Sequence, residues 1–343
     1  MPSRRKFIKT AALTSLAVPV LGLNSISEIR NTNLHSTIKP AALKAGDTIA
    51  ISSPAGAVWD EAVTEKFISI LQNLGFKIKS GETLKKKFGY FAGDDEFRAN
   101  EFNTFILDKE VKAIFCMKGG WGCARILDKI NYPGIIKNPK IIMGFSDITS
   151  LLIAVNAITG LVTFHGPVGN SGWNDFSTDY VKRILMNKES VSYSYPIKDN
   201  DLPYSINSGI AKGTLMGGNL SVISGIIGSN YLPDWKNKIL FLEETGEEPY
   251  QVDRMLTQLK LAGVLNKLSG FVFGKCVKCE AEEPEKAFTL KQVLEQHLIP
   301  LRIPAFYGAM IGHIENKYTV PLGIEAQIDA NKCTINLLET AVI

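Results

Sequence analysis

The sequence predicts an α/β protein, with an N-terminal layered α/β domain on a largely parallel sheet and a mixed α/β domain after it. Three observations carry this. From Gly46 onward, short aliphatic runs ending in turn residues alternate with amphipathic segments. Between about 166 and 210 the alternation fades into stretches rich in Asn, Ser, Gly and Pro. A hydrophobic content of 45% with 21% charge, over 343 residues, is that of a soluble globular chain long enough for two domains.

The first thirty residues stand apart. "SRRKFIKT" is followed by "AALTSLAVPVLGL", an uncharged run of 13 residues. Such a run is short for a bilayer span and has the length of a signal-peptide apolar region. Arg4-Arg5, with Phe7 and Lys9 close behind, reads as a twin-arginine export leader over 1–30. The expectation is an exported, periplasmic protein with no membrane span once the leader is gone. No clean A-x-A site marks the cleavage point, and no Cys near the leader's end suggests a lipoprotein. The leader also explains the net charge of +4, because 31–343 holds 33 basic and 33 acidic residues. No basic excess is left for a nucleic-acid face, so nucleic acid is not expected as a partner.

Over 45–165 the elements follow in order. "DTIAISSPAG" reads as a strand and turn, and "WDEAVTEKFISILQNLGFKI" as a helix with Phe67, Ile70 and Leu71 on one face and Gly75 as its stop. "EFRANEFNTFILD" reads as a helix, "VKAIFCMKGG" as a strand ending in glycines and "GCARILDKI" as a helix; "KIIMGF" is a strand and "ITSLLIAVNAITG" a helix. The segment 166–210 reads as a connector. In 211–343, "NKILFLEE" is a buried strand, "PYQVDRMLTQLKLAG" a helix with Val252, Met255, Leu256 and Leu259 inward, and "EAQIDANKCTINLLE" a hairpin turning near Asn331.

Sites in open α/β sheets gather beyond the carboxyl ends of the strands, and three such ends carry chemistry. In "KIIMGFSDITSLL", Ser146 or Asp147 can be a helix cap. Alternatively, Ser146 is a nucleophile on a tight turn, with the Asp147 N–H as an oxyanion donor. Ile148 stands where the second Gly of a G-x-S-x-G elbow would be. In "CMKGGWGCAR", Gly119, Gly120 and Gly122 form a plain turn or a second oxyanion donor; neither dinucleotide nor phosphate-loop spacing is present. In "ILFLEETGEE", Glu243 ends a buried run, whereas Glu244, Glu247 and Glu248 are expected to face solvent or the next helix's start.

A serine nucleophile needs a base. The histidines are His35, His165, His297 and His313; composition does not choose between His165 and His313, which both follow apolar runs beside Gly. Of the five cysteines, "CVKC" at 276–279 resembles a metal or redox pair, but no second pair or His cluster completes a zinc site. It also follows a strand-like run, where positions i and i+3 point to opposite faces; a disulfide is open in an oxidising compartment, but the sequence does not assign one. No metal and no cofactor are expected.

Read together, the segments resemble the LD-carboxypeptidase family, serine peptidases that include murein tetrapeptide carboxypeptidase and the microcin C self-immunity proteins. The resemblance runs over about 46–328. It rests on "FAGDDEFRANEFN", "KGGWGCARIL", "GFSDITSLL", "TFHGP", "GGNL", "LFLEETGEEPYQVDRMLTQL" and "GHIENKYTVPLG", in the family's order. It implies Ser146 as nucleophile, Glu243 as the orienting acid and His313 as base, with Asp147, Gly119 and Gly120 backbone N–H groups as the oxyanion hole. It further implies barrel-like β structure in the C-terminal domain, an active site between the domains, and a homodimer. Lys118 replaces the family's usual Arg and Trp121 its usual Tyr; both are candidate substrate-binding residues, and a Lys would hold a carboxylate as a point charge rather than a fork.

The expected function is a serine carboxypeptidase that releases a terminal D-alanine across an L,D bond of murein peptides. A microcin-type hydrolase of peptidyl-nucleotide amide or acyl-sulfamoyl linkages is the alternative within the fold. A non-catalytic periplasmic binding protein is the alternative outside it.

Overall fold

The computed structural model describes residues 36–196 and 202–343; the expected leader lies outside the described residues. The first strands are β1 (Thr48–Ser52), β2 (Lys77–Ser80), β3 (Val111–Cys116), β4 (Ile141–Gly144) and β5 (Thr163–His165). They pair in parallel in the order β2-β1-β3-β4-β5. Every residue of β4 and β5 is buried, as expected of strands covered on both faces. Helices α1 (Glu61–Asn73), α2 (Asp95–Leu107), α3 (Tyr132–Lys137) and α4 (Thr149–Thr159) connect them. Asp60 caps α1 by accepting from the Ala62 N–H, and Asp94 caps α2 by accepting from the Phe97 N–H. The helix expected at "GCARILDKI" is instead a run of 3₁₀ turns, Cys123–Lys129; it is cut short by extended Ile130, just ahead of α3 with its early Pro133.

The remaining strands are β6 (Ser192–Tyr193), β7 (Tyr204–Asn207), β8 (Ile210–Asn219), β9 (Lys238–Thr245), β10 (Gly270–Val277), β11 (Ala305–Ala309), β12 (Val320–Leu322), β13 (Ile324–Asp329) and β14 (Thr334–Leu337). All but β12 form a second, open eight-stranded sheet in the order β6-β14-β13-β8-β9-β10-β11-β7, with β8 through β11 parallel. This is the barrel-like part of the fold. The β13–β14 hairpin turns at Ala330–Cys333, as the sequence predicts. The later helices are α5 (Asp175–Leu185), α6 (Leu220–Gly225), α7 (Pro249–Leu261) and α8 (Leu290–Leu298). Val252, Met255, Leu256 and Leu259 of α7 are buried as a stripe, and Glu248 with Gln251 closes a capping box at its start.

Two features tie the halves together. Strand β12 crosses back to pair antiparallel with β5, at the edge of the first sheet. The stretch 166–210, expected as a connector, carries α5, β6 and β7. The site is positioned where the carboxyl ends of β3, β4 and β5 meet those of β8, β9 and β11.

Candidate active site

The elbow comes first. Strand β4 ends at Gly144, Phe145 is extended, and Ser146 takes φ of 62° before the 3₁₀ turn Ser146–Ile148 leads into α4. A left-handed serine costs energy, and such residues concentrate at functional sites. The cap reading does not hold, because neither the turn nor α4 has a side-chain cap. Asp147 instead points inward, its Oδ2 accepting the Cys123 N–H at 2.8 Å while Oδ1 has no partner among the described residues. Burial raises its carboxyl to about 6, with the Cys123 N–H pulling the other way.

The glycine loop after β3 lies against this elbow. A Cβ on Gly119 would stand 2.8 Å from Ser146 Cβ, 3.0 Å from its Oγ and 3.1 Å from the Asp147 N, so only glycine fits. The N–H groups of Asp147, Gly119 and Gly120 meet no protein acceptor among the described residues. That is the condition for donors that serve a ligand. The loop is held from behind by Arg98, a fully buried residue whose role the sequence reading missed. Its guanidinium donates to the carbonyls of Pro54 (2.6 Å), Gly122 (2.9 Å) and Gly93 (3.1 Å) and pairs with Asp95. Lys118 Nζ donates to Ala57 O at 3.2 Å, and Trp121 is 49% exposed beside the loop.

Glu243 lies within the buried run of β9, fully buried itself, and its Oε2 lies 2.8 Å from His313 Nδ1. Burial alone would push its carboxyl up, but the bond to His313 and that ring's charge hold it below the usual range. Gly312 makes the approach feasible: a Cβ there, at φ of 120°, would stand 2.8 Å from Glu243 Oε2. With Nδ1 engaged, Nε2 is the nitrogen left for a proton transfer. Phe145 joins the two clusters, its ring 4.8 Å from that of His313. Ser146 Oγ and His313 make no hydrogen bond to each other here; such bonds often close only with substrate.

His165, the other candidate base, is buried at the end of β5. Burial lowers it to about 4, and its Nδ1 has no partner among the described residues. It is thus neutral and has no carboxylate to orient it. His297 pairs with Asp253 on α7, away from this cluster, and His35 lies outside the described residues. Glu244 corrects the expectation of a solvent-facing side chain. It is buried and accepts from Asn219 Nδ2 (3.0 Å), the Ser221 N–H (2.7 Å) and the Thr245 N–H (3.0 Å). Register explains this: Asn219 faces Glu243 across β8 and β9, so Glu244 meets the turn that follows.

The "CVKC" pair, for which the sequence leaves a disulfide open, is bridged: Cys276 and Cys279 form a disulfide with Cα atoms 5.7 Å apart. Opposite faces at i and i+3 hold only along a continuing strand, and β10 ends at Val277. Lys278, at φ of 57°, turns the chain so that Cys279 returns to Cys276. No metal-binding group of His, Cys, Asp or Glu occurs among the described residues.

A strained serine at a strand–helix turn, unused N–H donors beside it and a His–carboxylate pair packed on the adjoining Phe145 are the elements from which serine hydrolases are built. The chain belongs to the LD-carboxypeptidase family: that family's N-terminal domain matches residues 49–166 and its C-terminal domain 212–328. It is 37% identical over 304 residues to a probable murein peptide carboxypeptidase of Bacillus subtilis, covering 86% of this chain and 93% of the relative. It is 31% identical over 331 residues to the microcin C7 self-immunity protein MccF of Escherichia coli, covering 87% and 95%. Among solved structures it superposes on MccF in complex with glutamyl sulfamoyl guanosine with a TM-score of 0.82, at 29% identity over 89% of this chain and 99% of that one. It also superposes on a muramoyltetrapeptide carboxypeptidase from Oxalobacter formigenes with a TM-score of 0.74, at 28% identity over 84% and 97%.

Proposed function

We propose that this protein is a serine carboxypeptidase that removes the terminal D-alanine of murein peptides across an L,D bond. The 2.8 Å contact between Glu243 and His313, opposite the strained Ser146, carries the reading. Glu243 holds the imidazole with Nε2 toward the serine. His313 takes the Ser146 proton as Oγ attacks the scissile carbonyl, and the N–H groups of Asp147, Gly119 and Gly120 receive the oxyanion. His313 then protonates the departing amine of D-alanine. Water, deprotonated by the same ring, hydrolyses the acyl-enzyme. Murein peptide as substrate is supported by the carboxypeptidase relatives.

The expected result is loss of one alanine from muropeptides incubated with the pure protein, followed by mass spectrometry. Ser146→Ala should leave the tetrapeptide intact, and full hydrolysis by that variant would refute the assignment.

The microcin-type activity stays as a second reading, favoured by the likeness to MccF and by exposed Trp121, which suits a nucleobase. Turnover of an aminoacyl sulfamoyl nucleotide in preference to tetrapeptide would select it. Export through the twin-arginine leader and a homodimeric state belong to the proposal too. Arg4→Lys with Arg5→Lys should trap the protein in the cytoplasm, and sedimentation of the exported form should give twice the mass of the leaderless chain.

A further inference from the structure

A carboxypeptidase must read the free carboxylate one residue beyond the bond it cuts, which calls for a cation about one residue's length from the nucleophile. The basic side chains around the crevice differ in how far they are already engaged. Arg98 spends its donors on three carbonyls and Asp95, and Arg125 is paired with Asp95 at 2.8 Å. Lys118 is half-buried and donates to Ala57 O. Lys317 differs from all of these. It is only 5% exposed, its ammonium rests on the Phe145 ring, and the charge that acts on it is the Glu243 carboxylate.

Its surroundings place it in the site. The Nζ sits 4.5 Å from the centroid of the Phe145 ring, the residue just before Ser146, and that ring also touches His313. Burial lowers the ammonium to about 8, while the carboxylate of Glu243 pulls it back up, so it stays mostly charged at neutral pH. Its backbone is fixed from α5. The Lys317 N–H donates to Ser177 Oγ (3.1 Å), that hydroxyl donates to Glu315 O (3.2 Å), and Asn174 Nδ2 donates to Asn316 Oδ1 (2.7 Å). A largely buried ammonium on an aromatic face, near the Glu243 carboxylate but not in an ion pair with it, is costly, and a ligand carboxylate bound to it offsets that cost.

We propose that Lys317 is the specificity residue that binds the terminal α-carboxylate of the substrate, with Phe145 as the floor that holds its ammonium beside the nucleophile. The proposal rests on the carboxypeptidase reading above.

The test is binding, by calorimetry, of a murein tetrapeptide ending in D-alanine free acid and of its C-terminal amide, to the full chain carrying Ser146→Ala. The acid should bind roughly 10- to 100-fold tighter than the amide, as for other charge-assisted contacts. Adding Lys317→Met, which keeps the stem on Phe145, should remove that preference and leave amide affinity within about twofold. Lys317→Arg should restore part of it. Equal affinity for acid and amide, an unchanged ratio in Lys317→Met, or no binding of either peptide would overturn the proposal. If Ser146→Ala still cuts the peptide, the nucleophile assignment fails instead, and the acid-to-amide ratio of kcat/KM still decides Lys317.

Discussion

Ser146 and its neighbours are fitted to one another at the level of single atoms. Gly119→Ala would drive a methyl group into Ser146 Cβ and the Asp147 N, so we expect a folded protein that loses at least about 100-fold in kcat, as when an oxyanion donor is displaced. Asp147 carries a different signature. Its folded pKa of about 6 lies above its ordinary value of 3.8, so the native state binds its proton more tightly than the unfolded chain. Stability therefore falls as pH rises from about 4 to 6, by up to about 3 kcal/mol, and the full cost is present at pH 7. Asp147→Asn keeps an acceptor for the Cys123 N–H and should melt higher than the parent at pH 7, with the two converging near pH 4. A difference independent of pH would contradict this. These fits were only partly legible in the sequence. Gly-Phe-Ser-Asp marked a junction, but cap and nucleophile share that signature, and the inward turn of Asp147 depends on Cys123, distant in sequence.

At the scale of elements, α2 matters through one residue. Arg98 joins the loops after β1 and β3 to the start of its own helix by bonding three backbone carbonyls. Arg98→Met should cost about 3 kcal/mol in denaturant unfolding, because it leaves the Pro54 and Gly93 carbonyls without a donor; Gly122 O keeps the Arg125 N–H. The β-α alternation, the α7 stripe and the final hairpin were readable because each is a local periodic pattern. Arg98 was visible only as a motif letter, since its partners are backbone atoms, which have no sequence signature. The Cys276–Cys279 pairing is not legible from spacing, because it depends on β10 ending at Val277 and on the reversal at Lys278. Alkylation of the denatured protein should therefore find three free thiols without reductant and five after reduction. Five thiols from the start would contradict the bridge.

For the whole molecule, the governing feature is that two parallel sets of strands end at one crevice. The first sheet delivers the serine, and the second delivers the carboxylate through β9 and the histidine beyond β11. Strand–helix alternation is legible over the first half and weaker over the second, and the pairing of Ser146 with Glu243 and His313 is what the family resemblance implies. Periodicity cannot join residues 97 and 167 positions apart. Nor could it foresee that β12 returns to the first sheet, since three residues carry no period of their own. The oxidised cysteine pair accords with the export proposed from Arg4-Arg5, because disulfides persist outside the cytoplasm.

The central claim is that Ser146 is a nucleophile activated by His313. Peptide mapping after reaction with a fluorophosphonate tests it most directly. One adduct is expected, on Ser146, absent in Ser146→Ala and formed at least about 100-fold more slowly in His313→Ala. An adduct elsewhere, none at all, or labelling of His313→Ala at the parent's rate would contradict it.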